Sequence, residues 1–370
     1  MKTLHKSLVV FIALLLAMSA FATGCKDKST STTITSSVTA LASDTTPIDA
    51  SSTIPASTTE CYGADAVAMM NKTFTINGIT ISPLEYNFYF ANSYSEMQSY
   101  ATAYGIYPLT EDGYLDLAAE NTIAPDAGAT YGDVLESTVL SGIQGTVYLL
   151  KYAEEHNLAL SEETSTSISG ALDAIETEAQ TLGMTGDSYV KVYYGDIATL
   201  QGFNEVMQRY YLASMAMDDY INNFDFTGMD ITVPVVRHVL FPTMDLTTGE
   251  SLTDEEIAAA YQAAQDFMSG ITSYEDMVMN GDAALTEGTA SESTEYSVNQ
   301  GEMVAEFENW SYDATREVGD TEIIETVYGY HVMYFVGTSE ISDDDKTTLA
   351  YEAMQDEIMV AIQASEYQPV

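Results

Sequence analysis

The chain is poor in basic residues, histidine and cysteine. Its 370 residues include 11 Lys and Arg against 56 Asp and Glu, only 4 His, and 2 Cys. Each shortage excludes something. A formal net charge of −45 leaves no basic face for nucleic acid, whose binding depends on neutralising phosphates. The same charge repels anionic lipid headgroups. No glycine-rich phosphate loop, His-x-x-x-His pair or cysteine cluster occurs, so nucleotide and zinc chemistry have no visible support. No metal and no cofactor are expected. The acidity favours solubility. Attraction of basic partners or divalent cations stays open beside the plainer reading, a solvated surface, which we adopt. A hydrophobic content of 46% suffices for two domains with real cores.

The start of the chain reads as a processing signal. Lys2, His5 and Lys6 form a basic region, Ser7 to Ala22 is apolar, and the segment ends Ala22-Thr23-Gly24-Cys25. The apolar run is short for a membrane span, which needs about 20 residues. The small-small-Cys ending resembles the lipobox of bacterial lipoproteins, although Ala22 stands where Leu is usual. That resemblance implies a signal over 1–24, removed to leave a lipidated Cys25. An ordinary cleaved signal peptide is the alternative. Loss of Lys2 and Lys6 would take the charge to −47. From Lys26 to about Glu60 the chain is rich in Ser and Thr and too polar to bury a core, so 25–60 is expected to be a flexible tether. With Cys25 alkylated no disulfide is expected, and Cys61 is assigned no role.

Residues 61–232 read as mainly helical. Asn77-Gly78 between Phe74-Thr75-Ile76 and Ile79-Thr80-Ile81 is a strong hairpin signal. Ser82-Pro83-Leu84-Glu85 then has the form of a helix start, with Ser82 as cap, Pro83 in the first turn and Glu85 returning the capping bond. That helix is expected to run to about Tyr104, with further helices at about 133–156, 162–182, 187–194 and 196–223. His156 falls at a helix C-terminus, where the helix dipole favours it as a surface residue.

From about Val233 the pattern becomes strand, helix, strand. His238 lies in Val235-Val236-Arg237-His238-Val239-Leu240-Phe241. His331 lies in Tyr328-Gly329-Tyr330-His331-Val332-Met333-Tyr334-Phe335. Both runs are strand-like in length and rich in β-branched or aromatic residues. Neighbouring strands lie about 5 Å apart, so two imidazoles 93 positions apart in sequence could meet if these strands pair. Thr253-Asp254-Glu255-Glu256 has the form of a capping box, a second short helix starts near Ser273, and Met303 and Phe307 stand at i, i+4. After Gly337, Ser342-Asp343-Asp344-Asp345 caps a last helix to about Ala364.

Three phrases in order, Arg237-His238-Val239-Leu240, Gly301 to Glu308, and Tyr328-Gly329-Tyr330-His331-Val332-Met333, are similar to the parvulin family of peptidyl-prolyl isomerases. The order of a short hairpin, a capped helix, Tyr152-Ala153-Glu154-Glu155 and Leu158-Ala159-Leu160-Ser161-Glu162-Glu163 looks like the chaperone region of the SurA and PrsA secretion foldases. Together the chain resembles a PrsA-type foldase lipoprotein. The fold implied is α+β: a helical chaperone region over 61–232, a parvulin-like domain with a small, mainly antiparallel sheet over 233–339, and a C-terminal helix over 340–370 packing back on the first region.

The resemblance implies that His238 and His331 are paired active-site histidines at the floor of a proline pocket. Met303 and Phe307 would line its wall, and the Thr326 hydroxyl would support the histidines. The family's Cys or Asp beside the histidines should fall near Gly281 to Leu285, where Asp282 is the chemically suitable residue and Ala284 the alternative occupant. Ordinary core histidines and core apolar residues are the plainer reading of all these positions. The family's Gly-Gly-x-Leu-Gly stretch is replaced by Ser291 to Gln300, and no basic cluster for phosphoserine-proline is present. The implied activity is a cofactor-free peptidyl-prolyl isomerase and chaperone. It would be lipid-anchored outside the cytoplasm of a bacterium and act on unfolded or nascent secreted polypeptides with X-Pro bonds. Two alternatives stand beside it: a holdase with a weak or inactive parvulin-like domain, and a solute-binding lipoprotein of a transporter.

Overall fold

A computed structural model describes residues 55–122 and 128–370. The expectations for a signal over 1–24 and for Cys25 lie outside the described residues. The fold is α+β, and the described chain divides into two compact units. One is formed by residues up to Asn223 together with Tyr351–Val370, the other by Phe224–Ala350.

The first unit opens with helices α1 (Thr58–Tyr62) and α2 (Ala64–Ala68), followed by the hairpin β1 (Phe74–Ile76) and β2 (Ile79–Ile81). The hairpin turns on Asn77 and Gly78 at φ 46° and 76°, the left-handed pair that matches the twist of the flanking strands. Helix α3 (Pro83–Tyr104) follows, with Ser82 Oγ accepting from the Glu85 N–H at 3.1 Å. Helices α4 (Tyr131–Glu155), α5 (Glu162–Thr181), α6 (Gly186–Tyr194) and α7 (Leu200–Asn222) complete the array. Its core is aromatic: Phe88 of α3 meets Tyr194, Phe203 and Tyr210, and Tyr86, Phe90 and Tyr94 of the same helix lie in the same cluster. Glu85 is buried in this core, and its carboxylate lies 3.0 Å from the Arg209 guanidinium. None of the described helices is long and apolar enough to cross a membrane.

Two expectations for this unit need correction. The tether was placed through residue 60, but α1 begins at Thr58, whose hydroxyl donates to the Lys191 carbonyl at 2.9 Å. Local packing against α6 orders this stretch despite its polar composition. Cys61 is buried and disulfide-bonded, contrary to the expectation that no disulfide forms.

The second unit begins with the long strand β3 (Thr232–Pro242). Then come α8 (Asp254–Ser269), α9 (Tyr274–Glu287), β4 (Glu292–Ser297), α10 (Ala305–Ser311), β5 (Thr321–Thr326) and β6 (Gly329–Glu340). The strands form one antiparallel sheet in the order β4-β3-β6-β5. Side chains alternate across a strand, so each strand serves two faces. On one face Val239, Phe241, Val332 and Tyr334 pack with Ala264 of α8 and with Met277 and Ala284 of α9. On the other, Val236, Met333 and Phe335 pack with Phe307 and Trp310 of α10. His238 and His331 belong to this second face, in phase with Val236 and Met333.

Helix α11 (Asp343–Ala361) crosses the division between the units within its own length. Its Ser342 Oγ accepts from the Asp345 N–H at 3.0 Å. From Tyr351 onward the chain belongs to the first unit. There Met354 and Ile358 pack with Leu149, Leu150 and Ala153 of α4 and with Ala213 and Ala216 of α7. The Val370 backbone exchanges two hydrogen bonds with Thr75 of β1, at 2.9 and 3.0 Å.

Candidate active site

The register of the sheet decides which side chains meet. His238 stands opposite Met333, and Leu240 stands opposite His331, so the two histidines are diagonal neighbours on one face. Diagonal positions lie within reach of long or aromatic side chains. Their Nδ1 atoms are 3.0 Å apart, a hydrogen bond, and their rings are near parallel at 5.1 Å between centroids. Exposure is 2% for His238 and 5% for His331.

Thr326 ends β5 and, like Ile324 opposite His331, faces the same side. Its Oγ1 lies 2.9 Å from His331 Nε2 and also accepts the Tyr328 N–H at 3.1 Å. The two-residue connection Val327-Tyr328 joins β5 to Gly329 at the start of β6. Gly329 has φ 144°, and a Cβ there would strike the Phe241 carbonyl and come within 2.8 Å of Pro242 Cα. Glycine lets the start of β6 approach the end of β3 this closely, which holds His331 beside its partner.

Phe307 covers the pair edge-on, with its ring centroid 5.2 Å from that of His238 and 5.7 Å from that of His331. Met303 packs against the same cluster and is partly buried. The two do not share a helix, as their spacing suggested. Helix α10 starts at Ala305, and Met303 lies in the turn before it.

Asp282 is not brought to the histidines. It sits on α9, which covers the opposite face, and its carboxylate is 3.5 Å from the Arg237 guanidinium. Arg237 is the odd-numbered neighbour of His238, so the sheet itself separates this pair from the imidazoles. Asp282 is 65% exposed in its side chain. Ala284, the alternative occupant, is buried in the α8–α9 core on that same far face.

The acid beside the histidines is Glu292, which the sequence reading missed. It opens β4, the edge strand formed by the segment that replaces the expected glycine stretch. Thr294 stands opposite His238, and Glu292, Thr294 and Tyr296 alternate onto the histidine face. Glu292 Oε1 lies 3.6 Å from His238 Nε2 and accepts the Tyr296 hydroxyl at 2.5 Å. The 3.6 Å separation is an ion-pair distance, longer than a hydrogen bond. Among the described residues, buried His238 Nε2 has no hydrogen-bond partner. The signal available in sequence was the alternation Glu-x-Thr-x-Tyr, too polar to stand out as a strand.

Electrostatics follow from this packing. Burial lowers the His331 pKa from 6.5 to about 4, reinforced by the neighbouring His238 ring and opposed by Glu292. His331 is therefore neutral at pH 7. The His238 ring holds the Glu292 carboxyl down to about 2 against the opposing effect of burial, with help from the Tyr296 hydroxyl. The result is a mutually hydrogen-bonded imidazole pair, walled by Phe307 on one side and flanked by a carboxylate on another. Among the described residues no group of His, Cys, Asp and Glu is placed to hold a metal ion. Such a pair offers fixed dipoles in an apolar surround.

Residues 238–337 match the family model described as "Rotamase: PPIC-type PPIASE domain". No curated protein matches the chain in sequence. Among solved structures, PrsA from Bacillus cereus shares 15% identity, covering 67% of this chain and 88% of that one, with a TM-score of 0.24. The foldase PrsA from Lactococcus lactis shares 13% identity over 79% of this chain and 90% of that one, with a TM-score of 0.28. A structure of SurA-like chaperones from Campylobacter jejuni shares 12% over 66% and 94%, with a TM-score of 0.21. Superpositions at these scores are too loose to match individual residues. The matched segment takes in the histidine pair and Phe307, and the chain thus carries a parvulin-type peptidyl-prolyl isomerase domain over residues 238–337.

Proposed function

We propose that the protein is an extracytoplasmic foldase that accelerates cis-trans isomerisation of X-Pro bonds in unfolded or nascent secreted polypeptides. The observation that carries this reading is the 3.0 Å Nδ1–Nδ1 contact between His238 and His331 beneath Phe307. Rotation about a prolyl bond breaks amide resonance at a barrier near 20 kcal/mol and takes tens of seconds or more unaided. No covalent bond is made or broken. A site that binds the twisted amide better than the planar one supplies the acceleration. Phe307 and Met303 grip the pyrrolidine ring, and the imidazole pair with Thr326 sets the polarity beneath it. His238 and His331 act by positioning and polarity, not as nucleophiles. The helical unit is assigned the holding of unfolded chains.

Localisation outside the cytoplasm rests on the processing signal and on the disulfide at Cys61, which suits an oxidising compartment. Attachment to the membrane through a lipidated Cys25 rests on the lipobox-like ending alone. The mass of the mature N-terminal peptide decides: a diacylglycerol adduct supports the anchor, and a Cys25–Cys61 cross-linked peptide removes it.

One observation favours a second reading, a holdase with feeble isomerase activity. The Ser291–Gln300 segment brings the Glu292 carboxylate within 3.6 Å of His238 Nε2, where it disfavours a greasy ring. A proline-limited refolding assay separates the two readings. Acceleration by the protein at catalytic concentration supports the enzyme. Suppressed aggregation without acceleration leaves only the holdase.

A further inference from the structure

The hydrogen bonds around the histidines form one continuous chain, and its two ends are chemically different. At one end the Tyr328 N–H donates to Thr326 Oγ1 at 3.1 Å, and that oxygen lies 2.9 Å from His331 Nε2. In the middle the two Nδ1 atoms share one proton across 3.0 Å. At the other end His238 Nε2 is buried, lacks a hydrogen-bond partner among the described residues, and faces Glu292 Oε1 at 3.6 Å.

With one proton on each ring, two proton orders satisfy the Nδ1–Nδ1 bond. In the first, Thr326 donates to His331 Nε2, His331 Nδ1–H donates to His238 Nδ1, and His238 Nε2–H points at the carboxylate. In the second, every proton is reversed, and His238 Nε2 turns a lone pair toward Glu292. That arrangement sets two acceptors face to face and strands the Thr326 hydroxyl proton. Glu292 is held in place by the Tyr296 hydroxyl at 2.5 Å, so it cannot swing away without losing a strong charge-assisted bond.

We infer that Glu292, braced by Tyr296, is a positioning residue that fixes the tautomers of both histidines. His238 carries its proton on Nε2, and His331 carries its proton on Nδ1. The low Glu292 pKa, about 2, keeps the carboxylate ionised over the working range. The inference deepens the isomerase reading, because the ordered pair presents one fixed dipole to the rotating amide. It also stands as a statement about the resting protein, whatever the activity.

The test uses the full chain labelled with 15N at histidine and long-range proton–nitrogen correlation at pH 7. The wild type is expected to show protonated Nε2 on His238 and protonated Nδ1 on His331. Glu292→Ala and Glu292→Leu should both abolish that single order, giving averaged or reversed nitrogen shifts for both rings. Glu295→Gln, on the opposite face of the same strand, should leave the shifts unchanged. In the refolding assay Glu292→Ala should lower kcat/KM about tenfold, equivalent to about 1.4 kcal/mol. Wild-type shifts in both Glu292 variants, or the reversed order in the wild type, would overturn the inference. A wild type without isomerase activity would sink the functional reading and leave the nitrogen shifts to decide the role of Glu292.

Discussion

Replacing His331 with phenylalanine isolates what its nitrogens do. The ring volume is kept, so Phe307 and Ile324 retain a surface to pack against. His238 Nδ1 and Thr326 Oγ1 lose partners at 3.0 and 2.9 Å. A buried polar group left unpaired costs about 1–3 kcal/mol; His238 Nδ1 is such a group, whereas Thr326 Oγ1 keeps the Tyr328 N–H, so the variant is destabilised by about 1–3 kcal/mol or somewhat more. Domains are stable by about 5–15 kcal/mol, so His331→Phe should fold at 25 °C with a lowered unfolding midpoint. If the pair contributes about 1.4–2.8 kcal/mol of preferential binding to the twisted amide, kcat/KM falls by about 10- to 100-fold. The measurement is proline-limited refolding of a reporter, run beside urea unfolding and an aggregation-suppression assay on the same samples. A folded His331→Phe variant with the wild-type kcat/KM would refute the role assigned to the imidazoles. Equal loss of isomerase and holding activity would mean that the variant had simply unfolded.

Asp282→Asn should change kcat/KM less than twofold and stability by less than about 1 kcal/mol, because its pair with Arg237 is exposed and lies behind the sheet; a tenfold loss of activity would reinstate it in the site. For His331 the folded pKa, about 4, lies below the unfolded value, 6.5. The unfolded chain therefore binds more protons between those limits, and stability of the second unit should fall as pH drops from 6.5 to 4, by at most about 3 kcal/mol. The depressed Glu292 carboxyl adds a loss of the same sign between 4.5 and about 2; urea titrations that are flat from pH 7 to 4.5 would contradict this. Glu85 has the opposite sign. Burial raises it to about 7 despite Arg209, so stability of the first unit should fall as pH rises from 4.5 to 7, and Glu85→Gln should flatten that slope in thermal melts. Gly329→Ala should destabilise the second unit by about 1–3 kcal/mol, since its methyl group meets the β3 backbone; an unchanged melting temperature would show that the close approach is not obligatory.

What could be read from sequence was whatever depends on local periodicity or on one pair of strands. The Asn77-Gly78 hairpin and the Ser82 cap are local chemistry, and the structure has both. The meeting of His238 and His331 needed only that two β-rich runs pair in antiparallel register. Asp282 was misplaced for a different reason. Its helix was recognisable, but the face of the sheet that the helix covers is a tertiary fact. The parity of β3 contains the answer: a partner of Arg237 cannot also be a partner of His238. Glu292 escaped because Glu292-Ser293-Thr294-Glu295-Tyr296-Ser297 carries no apolar stripe. An edge strand exposed along one side needs none, and its pairing to β3 supplies what its composition does not. Met303 shows a smaller failure of the same kind, where i, i+4 spacing was taken for a helix and a turn delivers the side chain instead.

Residues 351–370 belong to the first unit, yet in chain order they follow the whole of the second. In order of synthesis the sheet-bearing unit is therefore finished while the α4–α7 seam of its predecessor still lacks Met354 and Ile358 and β1 lacks Val370. Assembly is then out of sequence order: the later-made unit can mature first, and the earlier-made one must wait with a seam open. Any truncation near the carboxyl end should consequently be felt hundreds of positions upstream, in the helices, before it disturbs the catalytic sheet.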